Sequence, residues 1–270
     1  MDHLMQEYQR LLAAASGNES NSVTERIRDL TLVRLIGGIR LVIACDSNAS
    51  NGEKPMDIHR NTFEEMAVSA LKVPVMEVLA AGAYPIVIAN NLCVEMEPSG
   101  RRIIEIMKQE LIDSGLWEGL QFTGSTEDNM KTIQSGVGVT VIGLLDESRS
   151  KLGGTVKGDT VICVGVPQSG VTVPYSEKDL SVCKIKTVER LRRMEYVHEI
   201  LPIGSKGAEY EAKELARYVG LSFIRDEECR LDMKTSAGSC TAVLVSVVPE
   251  DEERLIQEID VPAARIGRII

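Results

Sequence analysis

The sequence predicts an α+β protein built in two layered halves, and three observations carry that prediction. Nearly continuous apolar runs of strand length alternate with longer stretches whose apolar residues recur at spacings of three and four. Between Asp146 and Gly158 the composition turns polar and glycine-rich, which marks the expected boundary between a domain of residues 1–148 and one of residues 149–270. No segment repeats at a fixed period, so a solenoid is excluded. A chain of 270 residues is long enough to bury a sizeable core.

Taken in order, Leu4, Tyr8, Leu11 and Leu12 predict a short amphipathic helix, followed by a Gly/Asn/Ser loop to about residue 25. A strand is expected from Asp29, and a second from Ile39 to Ala44, joined as a hairpin by Gly37-Gly38. Residues 47–60 lack periodicity and read as a mobile loop. Thr62 to Ala81 is helical by pattern, with a kink or break expected at Pro74. Strands are expected from Pro85 to Leu92 and Gly136 to Leu145, with a helix from Ile103 to Leu116 and a polar loop from Thr123 to Lys131 between them. The second half reads as strand Asp159–Val166, helical segments near Ser176–Leu180 and Val188–Tyr196, and strand Val197–Ile203. A Gly204–Gly207 turn, helix Glu209–Val219, a loop at Ser236–Gly238, strand Thr241–Val248, helix Glu250–Glu258 and strand Ala264–Ile270 complete it.

Composition excludes several classes. A net charge of -10 with no basic cluster beyond Arg192-Arg193 argues against a nucleic-acid partner, whose phosphates need a basic footprint. No apolar run reaches the ~18 residues of a membrane helix, and the polar N-terminus is no secretory signal, so a cytoplasmic protein is expected. The six cysteines lack CxxC spacing and mostly sit in apolar runs, which predicts buried, reduced thiols. There is no GxxxxGK[ST] cradle and no kinase GxGxxG with an HRD motif. Histidine is too scarce for a histidine-centred mechanism. Gly136-Val-Gly138 lies inside a Val/Ile strand and reads as close packing.

What remains is a scatter of carboxylates: Asp29, Asp46, Glu77 and Glu127-Asp128. Taken singly, each reads as readily as a cap or a surface charge. Asp46 stands out because it ends an apolar strand and opens a loop, where ligands of layered sheets bind. Glu77 stands out because Val75-Met-Glu-Val-Leu-Ala-Ala is an apolar helix stretch, where a carboxylate must be paired, metal-bound or snorkelled. Carboxylates converging from separate element ends suit Mg²⁺, which prefers oxygen ligands and leaves room for phosphate.

At these residues the chain resembles a known superfamily. The run Val73-Pro-Val-Met-Glu-Val-Leu-Ala-Ala-Gly-Ala-Tyr-Pro85 is similar to a signature of the aminoimidazole ribonucleotide synthetase-like (PurM-like) ATP enzymes. That group includes thiamine-monophosphate kinase, selenophosphate synthetase and a hydrogenase maturation factor. Arg28-Asp-Leu-Thr-Leu, Ile43-Ala-Cys-Asp46, Gly124-Ser-Thr-Glu-Asp-Asn129, Lys157-Gly-Asp159 and Arg265-Ile-Gly-Arg268 follow in the family's order. The resemblance implies an N-terminal domain contributing strands to a dimeric β-barrel, a C-terminal α/β sandwich domain, and ATP with Mg²⁺ at their interface. It implies metal positions at Asp29, Asp46, Glu77 and Asp128, with Glu77 replacing the usual Asp. It implies nucleotide and acceptor contacts at Gly52, Asn90, Asn91, Gly124, Ser125, Thr126, Glu127, Ser205, Lys206, Ser236 and Gly238, and catalytic candidates at Asp46, Lys54 and Asp232.

Within the group the wording is most similar to α-ribazole kinases. The shared features are Gly52-Glu-Lys54, Glu-Val-Leu-Ala-Ala-Gly-Ala, Ile-Gly-Ser-Lys-Gly-Ala with Glu211, and Ser-Ala-Gly near Asp232. Thiamine-monophosphate kinases differ near Gly204–Gly207 and Ser236–Gly238, and Asn48-Ala-Ser-Asn51 stands where a Gly-Gly segment is expected. The expected activity is transfer of the γ-phosphoryl of ATP to the 5′-hydroxyl of α-ribazole by a homodimer. Thiamine-monophosphate kinase, an ATP-dependent synthetase and a nucleotide-binding sensor are the alternatives.

Overall fold

A computed structural model describes residues 2–17, 22–169 and 176–270. The loop expected after the first helix falls largely on residues 18–21, outside the described residues. In chain order the first half runs α1 Asp2–Ala15, β1 Thr24–Ile27, β2 Leu30–Arg34, β3 Ile39–Ala49, β4 Asn51–Gly52, β5 His59–Arg60, α2 Phe63–Ala80, β6 Tyr84–Leu92, α3 Arg101–Asp113, β7 Gln121–Ser125 and β8 Gly136–Asp146. The second half runs β9 Thr160–Gly165, α4 Ile185–Arg193, β10 Val197–Pro202, α5 Gly207–Tyr218, β11 Phe223–Arg225, β12 Ala242–Val247, α6 Glu252–Glu258 and β13 Ala263–Ile269.

These elements form a six-stranded sheet in the order β1-β2-β3-β8-β6-β7, a five-stranded sheet in the order β10-β12-β9-β13-β11, and a small β4-β5 pair. All pairings in the two large sheets are antiparallel except β6 with β7. The β2–β3 hairpin turns through Gly37 and Gly38, both at φ near +70°, a region that costs glycine nothing. Helix α2 lies between the sheets, against β3 and β8 on one side and α4 and β10 on the other. Thr62 caps its start, its hydroxyl accepting from the Glu65 amide at 3.1 Å. One core runs continuously from Val42, Ala44 and Val141 through Leu71, Val75 and Leu79 to Ile162, Val243 and Val245. A second core lies under α5, where Ala208, Ala212 and Leu215 meet Val161, Leu201 and Leu244 on the far face of the five-stranded sheet. No described helix is long and apolar enough to cross a membrane.

Several expectations need correction. β3 continues to Ala49 and residues 51–60 form the β4-β5 pair, so this stretch is structured where a mobile loop is expected. Asp57 fixes it, accepting from the Lys54 amide at 2.8 Å and from the Ser135 amide and hydroxyl at 2.7 Å each. Helix α2 runs unbroken through Pro74, because burial against both sheets outweighs the one backbone hydrogen bond that proline cannot donate. Residues 176–183 form turns and no helix. β1, β7 and β11 are too polar or too short to show an apolar pattern. Gly124 and Ser125 therefore lie in a strand, inside the expected polar loop. Of the six cysteines, all free, Cys163, Cys183 and Cys240 are buried, whereas Cys45 and Cys93 are exposed.

Candidate functional site

One end of the six-stranded sheet gathers most of the residues singled out above. Strand register sets a single row across it: Asp46 on β3 pairs with Val139 on β8, Val139 with Asn90 on β6, and Asn90 with Gly124 on β7. Residues paired this way share a face. Here it is the face under α2, as the hydrogen bond from Asn48 to Ser69 of α2, 3.1 Å long, shows for its neighbour. Asn90 is 1% exposed and its side-chain amide nitrogen has no partner among the described residues. Gly124 has no alternative residue, since a Cβ there would lie 1.5 Å from the Asn90 Oδ1. Asn91 points to the opposite, exposed face, paired with Gly138 and Ser125, so Asn90 and Asn91 do not serve one ligand surface together.

Asp29 sits in the turn between β1 and β2. Thr31 pairs with Ile43, which brings that turn to the same end of the sheet as Asp46. Arg28 occupies the turn at φ 53° and reaches across to the second half, donating to Glu199 at 2.7 Å. Glu199 is fully buried and also accepts from the Thr155 hydroxyl at 2.7 Å.

Electrostatics tie Asp29 to Glu77 and to a carboxylate not among the sequence candidates, Glu211. Burial, then repulsion from Asp29 and Glu211, lifts Glu77 to about 8, with Arg28 opposing. Burial lifts Glu211 to about 7, against a hydrogen bond from the Gly204 backbone, with Asp29 raising it further and Arg28 and Lys206 opposing. Burial also raises Asp46, opposed by a hydrogen bond with the Ser47 backbone. Glu77 and Asp46 both act on the buried thiol of Cys240, raised chiefly by its burial. Asp29 and Glu77 share one electrostatic neighbourhood with Glu211, and Asp46 reaches it through Cys240. Among the described residues, however, no group of three carboxylate, histidine or cysteine side chains is close enough to form a closed metal cage.

Asp128 does not join that set. It accepts from the Met96 amide at 2.8 Å and from the Thr126 hydroxyl at 3.2 Å, capping the turn before α3. Glu127 is held locally as well, accepting from the Asn129 amide at 2.9 Å. Lys54, expected as a catalytic lysine in reach of phosphate, is 7% exposed and ion-paired with Glu95. Although burial opposes it, the Lys54 ammonium, with help from Thr132, holds Glu95 down at about 2. Gly52 is enclosed by Ser135 and Asp57.

The second half brings its two loops together. The Ala237 amide donates to Gly204 at 3.1 Å and the Glu209 amide to Met233 at 2.9 Å, so Ser205 and Lys206 lie beside Ser236 and Gly238. Lys206 is exposed, stacked 4.1 Å over the Tyr210 ring, and feels the charges of Glu211 and Asp29. Asp232 is exposed and accepts from the Lys234 amide and the Thr235 hydroxyl, at 3.0 and 2.8 Å. It caps a turn.

Glu211 carried the same signal as Glu77: a carboxylate on the apolar stripe of a helix, here beside Ala208, Ala212 and Leu215. Glu95 gave no such signal.

No family model and no curated protein matches the sequence. Solved structures do. Thiamine monophosphate kinase from Aquifex aeolicus is similar at a TM-score of 0.63 and 16% identity, over 97% of this chain and 93% of that one. A ThiL complex with AMPPCP and TMP matches at a TM-score of 0.59 and 16% identity, over 100% and 92%. The hydrogenase maturation protein HypE in complex with ATP matches at a TM-score of 0.59 and 17% identity, over 93% and 82%. This chain has the fold those proteins share.

Proposed function

We propose that the chain is an ATP-dependent small-molecule kinase, acting on the 5′-hydroxyl of α-ribazole. The observation that carries the reading is the deficit of positive charge around Asp29, Glu77 and Glu211. Glu77 and Glu211, raised chiefly by burial and further by neighbouring carboxylate charge, suit a cation, and Mg²⁺ needs only one or two carboxylates beside phosphate oxygens and water. One or two of Asp29, Asp46, Glu77 and Glu211 would hold it. When bound it would neutralise charge on the transferring phosphoryl group.

This chain's own residues do the rest. The unpartnered amide of Asn90, beside the enforced Gly124, offers a buried donor to nucleotide. Lys206 is the exposed cation nearest the carboxylates among the expected site residues, and takes the phosphate-facing role first expected of Lys54. Asp46, raised by burial and free of any ion pair among the described residues, orients the acceptor hydroxyl and accepts its proton. Ser205, Ser236 and Gly238 line the acceptor side, with Asp232 at the rim. That the fold is also found in a kinase solved with AMPPCP and TMP supports phosphoryl transfer.

The other face of the same sheet supports a homodimer. Val33, Leu41 and Leu144 form one row and Ile43, Ile142 and Val87 the next, all of them half-exposed or exposed. A second copy of this apolar face covers it best.

The test is ATP turnover across a nucleoside panel containing α-ribazole and thiamine monophosphate. The expected result is ADP and α-ribazole 5′-phosphate in equal amounts, with Asp46→Asn lowering kcat by ~100-fold or more. ATP binding with no acceptor phosphorylated would refute the kinase reading in favour of a sensor. A required amine or selenide would make the chain a synthetase.

A further inference from the structure

The opposite end of the six-stranded sheet holds a second set of charged groups with no part in the reading above. A cavity of about 570 Å³ opens there, between the end of α2, the segment after β8, the end of α4 and the start of β10. Arg149, Lys151, Arg192, Arg193, His198 and Tyr84 line it. Asp46 lies five residues along β3 from Leu41, whose row runs through Leu144 to Tyr84. At the rise of a strand the separation is ~17 Å, too far for one phosphate chain to serve both ends.

The lining is held in place. Arg192 is buried to nine-tenths, donates to Glu189 at 2.7 and 2.8 Å, and lies 4.1 Å over the Tyr84 ring. Arg192, with Arg149 beyond it, holds the Tyr84 hydroxyl below its ordinary pKa. The Lys151 ammonium donates to the main-chain carbonyls of Met194, at 3.0 Å, and Val197. His198 has its Nδ1 2.8 Å from the buried Asp159, which fixes the ring and leaves Nε2 as its remaining polar atom.

Charge does not balance here. Among the described residues neither Arg149 nor Lys151 pairs with a carboxylate, and Glu189 serves both Arg192 and Arg193. Glu195 is the one acid in the lining. Arg149, Lys151, Arg192 and Arg193 face Glu189, Glu195 and the Asp159 beside His198, so positive charge stays in excess, in a chain whose net charge is -10. Part of this excess is half-buried: desolvation holds Lys151 below its ordinary pKa. Such a site lowers its free energy by taking up an anion.

We infer that this cavity is a second anion site, which takes a small molecule carrying two or more adjacent phosphoryl groups. Planar guanidinium groups aimed from two elements match several phosphate oxygens at once, where a single carboxylate would engage one fork. The volume exceeds what one oxyanion fills and is in the range of small-molecule pockets. The inference is independent of the kinase reading.

Isothermal titration of the full chain with pyrophosphate and, separately, with ADP tests it, at low salt and without divalent metal. Saturable binding is expected at one site per chain, weakening as salt rises. Arg149→Glu and Arg193→Glu should each weaken it by about tenfold or more, and Asp46→Asn should leave it intact. Both arginines are exposed, so the unliganded melting temperature should hold, and if one variant melts early the other decides. Tighter binding of ADP than of pyrophosphate identifies a nucleotide site, and equal binding a free polyphosphate site. Absence of saturable binding to either probe overturns the inference. So does binding indifferent to both arginines, or lost with Asp46→Asn.

Discussion

In the five-stranded sheet, β9 and β12 are buried at every position, whereas β8 of the six-stranded sheet alternates between buried and half-exposed residues along its length. The ladders are alike; the surroundings differ. α5 covers one face of the first sheet and the α2–α4 layer the other, so along β9 and β12 no position is free to carry a polar group without a partner. The six-stranded sheet is covered by α2 on one face, where polar residues enter at Asp46, Asn48 and Asn90, and its other face keeps Leu41, Ile43, Ile142 and Leu144 half-exposed or exposed. The candidate chemistry thus belongs to the half-covered sheet, and the doubly covered one contributes loops and α5.

The sharpest way to break this comparison is to truncate one leucine in each sheet. Leu244, fully buried on β12, should cost about 2–5 kcal/mol as Leu244→Ala in urea unfolding. Leu144, 39% exposed on the open face, should change the stability of the isolated subunit by within about 0.5 kcal/mol as Leu144→Ala. It should also weaken self-association, read by sedimentation. Equal losses at low concentration would mean that the two sheets are covered alike.

The same contrast explains how much could be read from the sequence. β9, β12 and β8 were legible because burial leaves a periodic apolar record, and α2 because its stripe survives Pro74. β1 and β7 were not, since edge strands with one neighbour bury too little to leave a pattern. The row Asp46–Asn90–Gly124 was legible only as separate residues, because register is a property of pairing between distant segments. Lys54 illustrates the limit: its position in Gly52-Glu-Lys54 says nothing of Glu95, whose carboxylate captures it.

A smaller effect sharpens the picture at two glycines. Gly124→Ala forces a Cβ into the Asn90 side chain and backbone, and should cost about 1–3 kcal/mol and loosen the β6–β7 edge. Gly138→Ala would place its Cβ 3.8 Å from Asn91, an ordinary contact, and should be neutral or stabilising by up to about 1 kcal/mol. Thermal melts of the pair distinguish a packed site row from a generally crowded sheet, in which both would lose stability.

The smallest expected effect is a slope with pH, and it sets the acids of the two halves against each other. Glu199 has Arg28 in contact, whereas Glu77 makes no hydrogen bond or ion pair among the described residues. Glu77 at about 8 and Glu211 at about 7 stand above the ~4.3 of a free glutamate, so the folded chain keeps protons that the unfolded chain has released. Their contribution is therefore fully present below about pH 4.3 and is lost as pH climbs through about 7 to 8. In a chelator, the melting temperature should fall as pH rises across that interval. Glu77→Gln, which mimics the protonated side chain, should flatten the fall. Mg²⁺ should restore stability at the alkaline end, since a cation there relieves the same repulsion that a proton does. A melting temperature that climbs with pH, or a slope untouched by Glu77→Gln, would mean that these carboxylates are not crowded together, and the case for a cation between them would go with it.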